Sequence, residues 1–114
     1  MCAAVTTIKA SPDFQRIARQ GRRWSGPAFI MQILKTEEGA QFRLGLTASR
    51  KVGNAIVRNR AKRRLREMVR LFLKAQKLAG FDLVLIAKTA AASQEFSLME
   101  GEFRRGLEAL KVLA

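Results

Sequence analysis

The chain has 114 residues, 48% of them hydrophobic, and 22 Lys and Arg against 9 Asp and Glu give it a formal charge of +13 at pH 7. It has no His and a single cysteine, Cys2, which excludes imidazole catalysis, an intramolecular disulfide and a thiolate metal cluster, and no apolar run approaches the roughly 20 residues of a membrane span. The length favours a single domain, spanning residues 1–114, and a field this positive repels itself unless a polyanion neutralises it, so nucleic acid is the first partner to expect.

In chain order, the opening "MCAAVTTIKA" lacks the basic region and long apolar run of a secretory signal. Residues 1–10 are expected to form a loosely ordered lead-in, and the cysteine usage points to the cytoplasm. "SPDFQRIARQG" then predicts a short helix. Ser11 suits the N-cap, Pro12 the first helical position and Asp13 the first turn, with Gly21 as the C-cap. Phe14, Ile17 and Ala18 line one side of it. Trp24 follows, either as packing or as a stacking surface.

"AFIMQILK" (Ala28 to Lys35) is a continuous apolar run suited to a strand buried on both faces. "TEEGA" is a turn, in which the adjacent Glu37 and Glu38 are most simply solvated. "QFRLGLTAS" alternates Phe42, Leu44 and Leu46 with Arg43, Gly45 and Thr47, the period of a half-buried strand. The two runs are expected to pair as an antiparallel hairpin.

The most charged stretch comes next. Asn54 is the expected N-cap of a helix from Ala55 to about Lys77. At 100° per residue, Val57, Ala61, Leu65, Met68, Phe72 and Ala75 share one stripe. Asn59, Arg63, Arg66, Arg70, Lys74 and Lys77 lie opposite, flanked by Arg60 and Lys62. Arg58 and Arg64 sit nearer the core boundary, where their stems can carry the charge outward. Glu67 is the only acid of this helix, so pairing along it cannot neutralise the face.

"FDLVLIAK" (Phe81 to Lys88) predicts a third buried strand, and "SLMEGEFRRGLEALKVL" a closing helix. Ser97 and Glu100 have the spacing of a capping box, and Met99, Phe103, Leu107 and Leu110 form its apolar stripe.

A run of charge is usually a solvated face. This one is almost single-sign and rich in Arg, whose planar donors match phosphate oxygens. Binding would release condensed counterions and depend steeply on salt. A membrane-surface role fits less well, because the core needs the helix's apolar side. Charge and periodicity do not separate RNA from DNA.

The residues carry a more specific signal. "SRKVGNAIVRNRAKRRLRE" strongly resembles the motif of the bacterial ribonuclease P protein subunit, through Lys51, Gly53, Asn54, Ala55, Arg58-Asn59-Arg60, Lys62-Arg63 and Arg66. The order of the flanking elements matches as well, from about Ser11 to Leu113. The resemblance implies an α/β (α+β) domain, ribosomal protein S5 domain 2-like, with helices packed on a small mixed sheet. It also implies a left-handed βαβ crossover around the Arg-rich helix, against the usual hand.

The function it implies is that of the protein subunit of ribonuclease P, an endoribonuclease that removes the 5′ leader of precursor tRNA. In that family the RNA subunit carries the active site and uses Mg²⁺, so no catalytic residue, metal ligand or cofactor is expected in this chain. The implied partners are the ribonuclease P RNA and precursor tRNA, with no DNA and no membrane. By resemblance, Arg58, Asn59, Arg60, Lys62, Arg63 and Arg66 face the RNA subunit, together with Arg50 and Lys51. Phe14, Arg16 and Lys51 face the leader, where an aromatic platform between cations tolerates any base. Ala18 stands where some relatives carry a second aromatic, Gln32 where some carry Tyr, and Ala61 where a larger aliphatic is common.

Overall fold

Residues 6–112 are described by a computed structural model, which has five strands and three helices among them. Cys2 lies outside them. The elements are β1 (Thr6–Thr7), α1 (Ser11–Gln20), β2 (Arg22–Ser25), β3 (Phe29–Lys35), β4 (Arg43–Ala48), α2 (Ala55–Ala75), β5 (Phe81–Ala87) and α3 (Phe96–Ala109). Single 3₁₀ turns at Arg50–Val52 and Thr89–Ala92 follow β4 and β5.

The strands form one mixed sheet in the order β1-β4-β5-β3-β2. β5 runs parallel to β4 and antiparallel to β3, and β1 extends the far edge parallel to β4. The expected hairpin between β3 and β4 is therefore absent: β5 lies between them. The reason is burial. β5 is buried along almost its whole length, so it needs a partner on each edge and cover on both faces. A direct β3–β4 pairing would leave this most apolar strand at an edge. β4 instead reaches β5 through α2, because adjacent parallel strands cannot be joined by a tight turn.

Alternation then divides the side chains between two faces. One face carries Phe29, Met31, Ile33, Leu44, Leu83 and Leu85, which pack with Leu65, Met68 and Val69 of α2 and Met99, Phe103 and Leu107 of α3. The other carries Val84, Leu34 and Ile86, covered in part by Phe14 and Ile17 of α1 and by Ile8. The stretch before α1, expected to be loose, thus contributes Thr6–Thr7 to the sheet and the buried Ile8 to the smaller core. β2 was not foreseen. It is a short polar edge strand, "RRWS", in which Trp24 is the one half-buried residue and Arg22 donates to the Leu110 carbonyl at 3.1 Å.

Local signals fared unevenly. Asn54 does cap α2, accepting from the Val57 N–H at 3.0 Å. The helix stops at Ala75, short of Lys77, because Gln76 turns extended and Leu78 dives into the core. Val69 joins Ala61, Leu65 and Met68 in the buried stripe, since α2 packs on both the sheet and α3, whereas Ala75 is exposed. The N-cap position of α1 belongs to Ala10, and Ser11 and Pro12 fall inside the first turn. The capping box of α3 does not form: that helix starts at Phe96, and the Ser97 hydroxyl donates to Glu95 instead.

Gly21 ends α1 for a reason other than a left-handed turn, since its φ is −81°. A Cβ there would lie 2.5 Å from the Ile17 carbonyl oxygen and 2.6 Å from that of Ile33. Only glycine lets α1 return so tightly onto the sheet. Gly21→Ala should therefore lower stability by about 1–3 kcal/mol through backbone displacement, read as a lower midpoint in thermal denaturation.

Candidate nucleic-acid interface

On the α1 side of the sheet, cross-strand rows run Leu34–Asp82–Arg43, Gln32–Val84–Gly45 and Ile30–Ile86–Thr47. α1 covers part of this surface. Beside it lies a shallow groove of about 250 Å³, walled by Phe14, Gln15 and Ala18 and floored by Gln32, Val84, Ile86 and Thr47. At Ile86 it meets a second hollow of about 310 Å³ bordered by Ile30, Ser49, Lys51, Lys88 and Thr89. Phe14 thus walls one hollow and the ammonium groups border its neighbour, the two meeting at Ile86.

Phe14 reaches this position because β4 has a glycine under it. A Cβ on Gly45 would stand 2.6 Å from the Phe14 ring, so any larger residue would lift the ring off the sheet. Gln32 is part of the groove floor. Trp24 is not. It turns to the opposite face, packs against Phe29 and occupies the space a Cβ on Gly106 of α3 would need.

Lys51 is exposed, and its turn is well fixed. Its N–H donates to Ser49 Oγ at 3.3 Å, and its carbonyl accepts from the Thr89 hydroxyl at 3.4 Å. Lys88, which was not singled out from the sequence, donates to Ser25 Oγ at 2.9 Å and to the Gly26 carbonyl at 2.6 Å. The available clue was a cation closing a strand whose one other charged residue is Asp82.

At the other end, Asp82 is 1% exposed. Arg43 donates to it twice, Nε to Oδ1 at 3.0 Å and Nη2 to Oδ2 at 2.7 Å. These bonds, with the charge of Asp82, raise the Arg43 guanidinium above its ordinary value. Arg16 lies 3.7 Å from Asp82 and 3.2 Å from Asp13, which in turn is 3.8 Å from Arg43. Arg16, expected at the leader, thus stands beside the groove in a charge-balanced cluster, with its side chain still 44% exposed.

The motif cations are arranged differently. Among the described residues, the side chains of Arg50, Lys51, Arg58, Arg60, Lys62, Arg63 and Arg66 have no ion pair with an acid. Asn59, Arg60, Arg63 and Arg66 are exposed on α2, and Arg58 and Lys62 are half-buried at its margins. Two of the acids nearest the helices are occupied within the fold. Glu67 pairs with Arg70, whose hydrogen bonds hold the carboxyl below its usual range. Glu102 is buried under the β2–β3 turn, where it accepts from the Ala28 N–H at 3.1 Å and from the Gln94 amide.

Arg64 departs from the expectation of a charge carried outward. Its guanidinium turns to the segment after β5, donating to the Ala91 carbonyl at 2.8 Å and to that of Gln94, with its carbon 5.9 Å from the Phe96 ring centre. It therefore staples α2 to the turn that carries Lys88 and Thr89. No group of three or more potential metal ligands occurs among the described residues, and none of the described helices is long and apolar enough to cross a membrane.

A family model described as Ribonuclease P matches residues 3–111. The chain is 39% identical to the ribonuclease P protein component of Gluconacetobacter diazotrophicus, over 88% of this chain and 86% of that one. Its identity to the same component of Symbiobacterium thermophilum is 42%, over 90% and 85%. Among solved structures, it is similar to the Staphylococcus aureus RNase P protein, with a TM-score of 0.79, 29% identity and coverage of 97% of this chain and 100% of that one. The Thermotoga maritima RNase P protein gives a TM-score of 0.74 at 26% identity, over 95% and 97%.

The geometry separates Arg64 from its neighbours in the motif. Arg64→Ala should cost about 1.5–3 kcal/mol of stability by removing charge-assisted hydrogen bonds to two carbonyls. It should leave the salt dependence of nucleic-acid binding unchanged. Thermal denaturation, with titrations at several salt concentrations, checks both.

Proposed function

The chain belongs to the ribonuclease P protein family, and on that basis we propose that it docks on the catalytic RNA of ribonuclease P through α2 and holds the 5′ leader of precursor tRNA in the groove beside α1. Membership gives it a part in tRNA processing with the ribonuclease P RNA, within an endoribonuclease holoenzyme. The observation that carries the docking surface is the absence of any acidic partner for Arg58, Arg60, Lys62, Arg63 and Arg66 among the described residues. In a chain with a charge of +13, cations left unpaired on one helix are best neutralised by phosphates.

The groove suits an unpaired strand. Phe14 offers a ring on which a base of any identity can stack, and Lys51 and Lys88 border the far hollow with ammonium groups for the backbone. Lys51 and Arg50 lie in the turn that leads from the groove into α2, so leader and RNA subunit would meet the protein on either side of that turn. The reaction is hydrolysis of one phosphodiester bond in the precursor. The RNA subunit and its Mg²⁺ supply that chemistry, and this chain binds and orients the substrate.

A precursor tRNA should lose its leader at limiting Mg²⁺ only when a bacterial ribonuclease P RNA and this protein are both present. Tight RNA binding with no stimulation of cleavage would instead indicate a basic RNA-binding protein without a processing role. Arg60→Ala or Arg63→Ala should weaken RNA-subunit binding and reduce its salt slope by about one unit per lost phosphate contact. Phe14→Ala should spare RNA-subunit binding and reduce affinity about five- to a hundredfold for leader-bearing precursor, the range of one lost stacking contact. Equal weakening of mature tRNA binding by Phe14→Ala and Arg60→Ala would contradict the division into two surfaces.

A further inference from the structure

We infer that Ile56 is an apolar contact to the ribonuclease P RNA, packing on the face of a nucleoside inside the cationic field of α2. Ile56 is 72% exposed, and among the described residues Leu98 is the other large hydrophobic exposed to a comparable degree, at 56%. It sits in the first turn of α2, and its spacing to Asn59, Arg60 and Arg63 places all of them on one face.

Folding does not account for it. The neighbouring Val57 points inward and packs against the main core, while Ile56 points away from it. A β-branched residue is a poorer helix former than Ala, Arg or Lys, so an exposed Ile in this turn weakens the helix slightly. Exposed apolar surface among cations becomes favourable only when a partner covers it. The surrounding unpaired arginines select a polyanion, and the branched side chain selects a polyanion that also presents a flat apolar surface. A nucleobase or ribose face does so; a phosphate backbone alone does not.

The turn is also held ready. The Asn54 cap fixes the start of the helix, so Ile56 loses little freedom on contact. Its contribution is distinct from that of the arginines, because covering apolar surface releases no counterions.

This inference rests on the docking surface proposed above, and one experiment separates the two. Full-length Ile56→Ala, Ile56→Val and Arg60→Ala are each titrated with a bacterial ribonuclease P RNA at several salt concentrations, beside thermal denaturation of the free proteins. Ile56→Ala should lose affinity about five- to tenfold at every salt concentration, with the salt slope unchanged and the thermal midpoint not lowered. Ile56→Val, which keeps a branched apolar surface, should stay within about twofold of the parent. Arg60→Ala should lose affinity with a shallower slope. Unchanged affinity in Ile56→Ala beside a weakened Arg60→Ala would overturn the role of Ile56 and leave the docking surface standing. Unchanged affinity in both would overturn the docking surface itself. A lower thermal midpoint in Ile56→Ala would assign the residue to folding and also sink the inference.

Discussion

Asp82 lies on the most buried strand of the sheet, and arginines from two other elements close on its carboxylate. Arg43 meets it across the β4–β5 pairing and so favours one parallel register; Arg16 meets it from α1 and ties that helix to the same point. A buried carboxylate cannot slip by one residue without losing these partners, since the shift would turn it to the other face. The position of α1 then determines where Phe14 lies over Gly45 and how much of the sheet stays open. The groove is a consequence of that charge cluster as much as of the apolar residues that line it.

The same economy governs the rest of the charge. Few acids are available, and those with resolved partners serve the fold. Asp13 and Asp82 hold α1 to the sheet, Glu67 pairs with Arg70, and Glu102 ties α3 to the turn after β2. Not every cation of α2 is left for a partner, either. Arg64 is turned inward to hold the segment after β5. What remains is an unpaired set on one side of α2 and the turn before it. Self-repulsion there is tolerable when the working state of the protein includes a polyanion.

Much of α2 was legible in the sequence, because its signals are local. Asn54 caps the helix from within its own turn, and the spacing of Ala61, Leu65 and Met68 is set by the helical period. The stripe of α3 through Met99, Phe103, Leu107 and Leu110 was legible in the same way. The groove was partly legible. Phe14 and Lys51 came from resemblance to a family, whereas Lys88 and Gly45 matter only once distant strands are brought together. A lone Asp in "FDLVLIAK" was the visible trace of the cluster around Asp82, but nothing in that strand points to Arg43 or Arg16.

The order of the strands was not legible, and the expected β3–β4 hairpin shows why. Two strand-like runs joined by a turn look like neighbours, and the choice between them and β5 depends on which strand most needs burial on both sides. That is a comparison across the whole chain. By itself the sequence determined the helical periods, the excess of positive charge, the cationic face of α2 and the family. Tertiary structure alone decided that β5 takes the centre, that Arg16 and Arg43 converge on Asp82, that Arg64 turns inward, and that Trp24 serves the core rather than the groove. Local patterns encode which residues avoid water; which distant surfaces cover them is settled only when the chain has packed.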